Sequence, residues 1–267
     1  MNPMHIDFHF SGMILWIMRV SKLLIPPRPI FKSMMMTFQE LTDEQWEYIK
    51  PHLPPQPRVG RKRACDRKTI NGILYVLNTG CTWHDMPRRY GSGVTAWRRL
   101  KLWSEDGTWE RIHNATMHTA YENGIVSLDV VSIDSTLIEA KNGGELVAYN
   151  GHKKKRVKVH VAVCSTGLPL SIFTGLGSQH NSQKFIEFID GIEIKIEIGR
   201  PRTKPGEVVA DAAYDDMKIR EDLRRRNICS NIGVNKRNMK IPHVGRPTRF
   251  EEVSYKKNRS CIERFNS

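Results

Sequence analysis

Two short apolar runs stop on an aspartate, Val130 to Asp134 and Glu207 to Asp211. Each reads as a buried strand whose last side chain reaches a working edge of a sheet. A third acid, Glu263, lies in the segment Arg259 to Phe265, which reads as a helix with Ile262 and Phe265 on one face. Two aspartates and a glutamate that converge from three separated segments can hold two Mg²⁺ or Mn²⁺ ions, hard cations that prefer carboxylate oxygen. Such an ion pair supports transfer at a phosphodiester by stabilising the attacking and leaving oxygens.

The charge balance agrees with a phosphodiester substrate. Among 267 residues, 42 Lys and Arg face 28 acids, a formal charge of +14. So basic a surface usually meets a polyanion, either nucleic acid or an anionic membrane, and the bland alternative is a well-solvated surface. The five cysteines are Cys65, Cys81, Cys164, Cys229 and Cys261, with no Cys-x-x-Cys pair. That spacing argues against a structural zinc or disulfide framework and suits a reducing cytoplasm. The apolar stretch Ser11 to Met18 is far shorter than the ~20 residues a bilayer requires. Met1 to Phe10 holds no Lys or Arg, so a signal peptide is not expected either. Residues 1–36, with Pro26 to Pro29 as an irregular linker, are expected to be a disordered upstream extension; an interfacial anchor is the alternative, and no membrane partner is expected.

Residues 37–123 read as a helical domain. Thr42 and Gln45 form a capping box ahead of Trp46 and Ile49. Asp66 is placed to cap a second helix bearing Ile70, Ile73, Leu74 and Leu77 up to Gly80. Ser92 is placed to cap a third, with Val94, Trp97, Leu100 and Trp103 inward and Arg98, Arg99 and Lys101 outward. This is a helix-turn-helix candidate, or else an ordinary bundle with a basic face; the overall charge favours DNA. Trp83 and Trp109 read as core anchors. Past Asn123-Gly124 the pattern turns extended, and residues 124–267 read as a mixed sheet flanked by helices. Its expected strands are Val126 to Ile133, Val157 to Val163, Leu168 to Phe173, Glu207 to Ala210 and Ile228 to Ile232. Asn181 is placed to cap one helix, and another is expected from about Asp215 to Arg226.

The sequence resembles the DDE transposases of insertion sequences, specifically the fifth insertion-sequence family and its relatives. The resemblance spans roughly Leu41 to Ser267. It rests on Ile133 to Thr136, Lys158 to Val163 with His160, Gly177 to His180, Ala210 to Asp215 and Arg259 to Phe265, in that order. The N-terminal half adds Cys81 to Trp83, Pro87, Tyr90-Gly91 and Trp103 to Trp109. The resemblance implies a ribonuclease-H-like catalytic domain with Asp134, Asp211 and Glu263 as metal ligands. Arg259 and Glu263 match the family's C-terminal signature, and Tyr255 matches it more loosely, with a spacing one residue longer. The signature's later Lys has no counterpart before Ser267, so a C-terminally truncated copy is expected. Asn181 stands where many relatives carry Asp, and Ala212-Ala213 replaces a commoner Lys-Gly; neither removes a ligand.

By the same resemblance the partners are DNA, both terminal inverted repeats and target, gripped by a homo-oligomer in the nucleoid-associated cytoplasm. Arg98, Arg99 and Lys101 are the candidate readers. Lys153, Lys154, Lys155, Arg156, Lys158, His160 and Arg259 are candidates for contact near the catalytic centre; backbone contact carries no sequence information. The implied reaction is hydrolysis of a phosphodiester followed by attack of the freed 3′-hydroxyl on target DNA. The rivals are a nuclease of the same fold, which stops after hydrolysis, and a defective copy that only binds DNA.

Overall fold

The computed structural model describes residues 38–139, 146–149, 155–196, 199–235 and 249–266. They divide into two compact units, one ending at Thr116 and the other beginning at Met117. Residues 1–36, Lys153 and Lys154 lie outside the described residues.

The first unit is helical. Helix α1 (Asp43–Ile49) opens with both arms of the capping box: Thr42 Oγ1 accepts from Gln45 N–H, and Gln45 Oε1 accepts from Thr42 N–H. Helix α2 (Asp66–Thr79) buries Ile70, Ile73, Leu74 and Leu77 and closes on Gly80 in the left-handed conformation. Asp66 is the first helical residue, not the cap; Cys65 stands at the cap without a side-chain bond. The Asp66 carboxylate is instead held by Arg63 at 2.7 Å, and its charge still suits the first turn of a helix.

Helix α3 (Gly93–Glu105) follows Ser92, whose side chain makes no capping bond. Ala96, Leu100 and Trp103 are its buried positions, whereas Val94, expected inward, is 48% exposed. Helix α4 (Thr108–Glu122) brings Trp109 edge-on to Trp103, ring centroids 5.7 Å apart. The link from Gly80 to Ser92 contains two 3₁₀ turns, Trp83–Asp85 and Arg88–Tyr90. It is longer than the tight turn of about 3–4 residues in a helix-turn-helix. Gly93 seats α3 on this link: a Cβ there would lie 1.8 Å from the Trp83 carbonyl oxygen. Only a residue without a side chain allows that approach.

The second unit is built on a six-stranded mixed sheet. Its strands are β1 (Val130–Glu139), β2 (Ala148–Tyr149), β3 (Lys155–Cys164), β4 (Pro169–Leu176), β5 (Glu207–Ala210) and β6 (Cys229–Ile232). β3 is antiparallel to β1, β2 and β4, while β1, β5 and β6 run parallel. Helix α6 (Met217–Arg225) makes the crossover from β5 to β6, burying Ile219 and Leu223. Helix α5 (Phe185–Asp190) and helix α7 (Glu252–Asn266) complete the unit.

Two boundaries differ from expectation for a physical reason. β1 begins at Val130 rather than Val126 and runs five residues past Asp134, because β3 pairs with it as far as Glu139 opposite Arg156. Asn181 does not cap α5. His180 caps a 3₁₀ turn over Asn181–Lys184, and the Asn181 side chain instead accepts from Lys158 Nζ at 2.8 Å.

Candidate active site

Strand register places the two aspartates together. In the parallel β1–β5 pair, Ile133 is opposite Ala210, so Asp134 and Asp211 stand side by side one residue later. Their backbones are then about 4.8 Å apart, the spacing of neighbouring strands. Because β1 continues past Asp134, the edge here is made by β5 ending at Ala210.

Alternation along the strands fixes the face. Ser132 Oγ donates to the Asn258 carbonyl of α7 at 3.1 Å, and Ser254 Oγ donates to Glu207 at 3.1 Å. Ser132 and Glu207 therefore point at α7, and Asp134 and Asp211 share that face at even spacing. Each aspartate is half-buried and held by a backbone N–H just after it in sequence: Asp134 Oδ1 accepts from Ser135 N–H at 2.8 Å within β1, and Asp211 Oδ1 from Ala213 N–H at 2.9 Å in the turn after β5.

Glu263 is held differently. It is an exposed residue of α7 whose carboxylate accepts from Arg259 Nε at 2.9 Å. Arg259 also donates to the Tyr255 hydroxyl at 3.0 Å, so Tyr255, Arg259 and Glu263 form one stripe at four-residue spacing. Burial lowers the Arg259 pKa, but Tyr255, Glu263 and nearby Asp134 outweigh it and raise the net value. Among the described residues no three His, Cys, Asp or Glu side chains converge as a metal cluster. The hard oxygens of the registered Asp134–Asp211 pair fit a divalent cation. The Glu263 carboxylate is engaged by Arg259.

Beneath the pair, on the opposite face, lies a buried polar cluster. Ser135 is opposite His160 across the β1–β3 ladder, and both meet Tyr214. Tyr214 is fully buried, and burial raises its pKa far above the usual phenol value. His160 is 1% exposed, packed near Phe173 and Phe188. Burial, with Lys158 adding to it, lowers its pKa to about 4, so the ring is neutral at physiological pH. The expected DNA contact by His160 is corrected on this ground: its ring is enclosed in the core. Sequence reasoning missed Tyr214 as a tie between the carboxylate segments; the available signal was a hydroxyl three residues past Asp211.

The other candidates lie apart. Lys158 Nζ donates to the Gln179 carbonyl and to Asn181, pinning the loop after β4, and burial lowers its pKa. Lys155 is exposed at the start of β3, and Arg156 beside it reaches Glu139 at 3.5 Å. On α3, Arg98 is exposed, Arg99 lies over the Trp103 ring at 5.5 Å, and Lys101 stands 3.8 Å from Glu105. Among the described residues no helix is long and apolar enough to cross a membrane.

A mixed sheet with two aspartates side by side where β5 ends, flanked by helices, has the architecture of a ribonuclease-H-like domain. Residues 127–267 match the family model described as "Transposase DDE domain", and residues 41–113 match "Putative transposase of IS4/5 family". The first of these covers more than half of the chain, and the chain belongs to the DDE transposases.

Two relatives are similar over shorter stretches. The "Insertion element IS402 uncharacterized 16.2 kDa protein" of Burkholderia cepacia is 38% identical over 112 residues, 39% of this chain and 76% of that one. The "Uncharacterized protein y4sN" of Sinorhizobium fredii (strain NBRC 101917 / NGR234) is 29% identical over 101 residues, 38% of this chain and 76% of that one. A cryo-EM structure of a piggyBac transposase synaptic complex with hairpin DNA has a TM-score of 0.35 and 14% identity. It covers 89% of this chain, which spans 51% of the piggyBac chain.

Proposed function

We propose that this chain binds the inverted repeats of an insertion sequence and catalyses cleavage of their ends and strand transfer into target DNA. The observation that carries the reading is the register of β1 and β5, which sets Asp134 beside Asp211 at the sheet edge. A pair of Mg²⁺ or Mn²⁺ ions bound there would supply the Lewis acidity that phosphodiester displacement requires. Asp134 and Asp211 would hold that pair, with Glu263 completing the set once released from Arg259. Arg259 would then be free to meet a phosphate oxygen, for which its planar fork is suited. Lys155 and Arg156, at the start of β3, would contact the DNA backbone, as would Lys153 and Lys154 just before it. Arg98, Arg99 and Lys101 would read or grip the repeat from α3. Assembly of more than one copy on DNA belongs to the same reading, and so does a cytoplasmic site of action at the nucleoid.

The test offers the full chain a duplex carrying a pre-cut repeat end and a supercoiled target, in Mn²⁺. Joined product supports transposition. Cleavage of an uncut repeat without joining points to a nuclease, and binding with neither reaction points to a chain that only occupies DNA ends. One observation favours that last reading as the alternative: the Glu263 carboxylate is already ion-paired to Arg259.

A further inference from the structure

A groove of ≈ 1050 Å³ at the other end of β1 and β5 sets Arg200, Arg202 and Lys204 beside Glu122 and Asp129. Its opposing charges largely cancel, and it selects no ligand. The buried cluster under the aspartates is more specific.

Tyr214 touches both carboxylate-bearing segments. Its backbone N–H donates to the Asp211 carbonyl at 3.1 Å. Its hydroxyl shares a hydrogen bond with Ser135 and lies 3.3 Å from Nδ1 of His160. Ser135 in turn gives its own N–H to Asp134 Oδ1. A continuous path therefore runs from the Asp134 carboxylate through Ser135 and Tyr214 to the backbone of Asp211. Carrying a hydroxyl this far into a core costs desolvation that phenylalanine would avoid while filling the same volume. His160, supplying the third strand's anchor, keeps Nε2 buried without a hydrogen-bond partner. A cluster that leaves one buried polar atom unmatched is poorly explained as packing alone.

We infer that Tyr214 is a positioning residue that holds Asp134 and Asp211 at the mutual spacing a divalent cation needs, acting through Ser135 and anchored by His160. The inference rests on the proposed assignment of the two aspartates to the metal. Groups that orient metal ligands typically change metal affinity by about 10–100-fold when removed.

The experiment measures Mn²⁺ affinity of the full chain by calorimetry, without DNA, for Tyr214→Phe, Ser135→Ala, the double variant and Asp211→Asn. Thermal midpoint and affinity for repeat DNA are followed alongside. Tyr214→Phe and Ser135→Ala should each weaken Mn²⁺ binding by about 10-fold or more. The double variant should fall little below the weaker single, because both cut one path. DNA affinity should stay within about twofold, since the path does not reach α3. Wild-type Mn²⁺ binding in Tyr214→Phe, with a lowered thermal midpoint, reduces Tyr214 to a packing residue and overturns the inference. Should Tyr214→Phe not fold, Ser135→Ala decides in the same way. If Asp211→Asn also binds Mn²⁺ normally, the metal assignment itself fails; if it alone loses binding, only the role of Tyr214 does.

Discussion

The sheet and helix α7 carry their acids in opposite ways. Asp134 and Asp211 sit on hydrogen-bonded neighbouring strands, and each has an oxygen tied to a backbone N–H within two residues. Glu263 is an exposed side chain on a single helix, and the partner holding it is a half-buried arginine four positions earlier. Strand register is a collective property, because moving one residue would flip a whole row of side chains. A surface ion pair at four-residue spacing contributes only about 0.3–0.5 kcal/mol. On the proposed metal assignment, the sheet would present a preformed half of the cation site, and the helix a half that can exchange partners.

The largest effects should fall on the preformed half. Asp134→Asn or Asp211→Asn should reduce repeat cleavage by about 10³-fold or more, the scale of losing several kcal/mol of transition-state stabilisation. DNA affinity measured by gel shift should be retained. Glu263→Gln should also suppress cleavage, yet weaken Mn²⁺ binding in the absence of DNA less than either Asp variant. Equal losses of Mn²⁺ affinity for all three would abolish the distinction between the two halves.

Acid provides a second way to break it, through the cluster that supports the sheet half. The His160 pKa is depressed by burial to about 4, so the unfolded chain binds this proton more readily than the folded one. Stability from the neutral ring is therefore complete above the ordinary His pKa of about 6.5 and declines as pH falls towards 4. The total is at most about 3 kcal/mol. Denaturant midpoints for wild type and His160→Phe between pH 7 and pH 4 should diverge, the wild type losing more. Parallel curves would mean that His160 is not the acid-sensitive group.

The contrast recurs in smaller form on α3. Arg99 is laid over Trp103, whereas Arg98 is exposed. If the pre-placed cation reads the repeat, Arg99→Ala should remove about 1–3 kcal/mol of discrimination between repeat and random duplex. Arg98→Ala should weaken both duplexes alike and lower the salt slope by about 1. The opposite assignment would show that a pre-placed cation on α3 does not mark the reader. The smallest expected effect is at α1: Thr42→Ala removes one arm of a fully formed capping box and should cost about 1 kcal/mol in thermal unfolding.

How far each part was legible follows from how local its cause is. The capping box at Thr42 and the left-handed close at Gly80 involve groups a few residues apart, and both stand where the pattern put them. The alternation of β3 was legible because one face must meet a core. The start and far end of β1 were not, since the start at Val130 is set by pairing with Glu207 of β5 and the end at Glu139 by pairing with Arg156 of β3, partners remote in sequence. Val94 looked inward by periodicity, yet the inward position went to Ala96, whose small side chain suits close helix packing. At the site, the aspartates could be picked out as ends of apolar runs. The burial of His160 could not be, because it is set by the tertiary placement of α5; the Arg259–Glu263 pair is local to α7 and lies at a four-residue spacing open to view in the sequence.

Gly93 has a consequence of another kind. Its Cα passes so close to the Trp83 carbonyl that any side chain at all would have to displace main chain, since the obstructing atom belongs to the backbone and cannot rotate away. In a saturation library selected for DNA binding, position 93 should return glycine alone, while Arg98 five residues on tolerates many replacements in the fold, at a loss of affinity shared by all sequences. A site with no functional group would then rank among the most invariant in the domain. Its invariance would record the angle at which α3 leaves the chain, and nothing about what the helix touches.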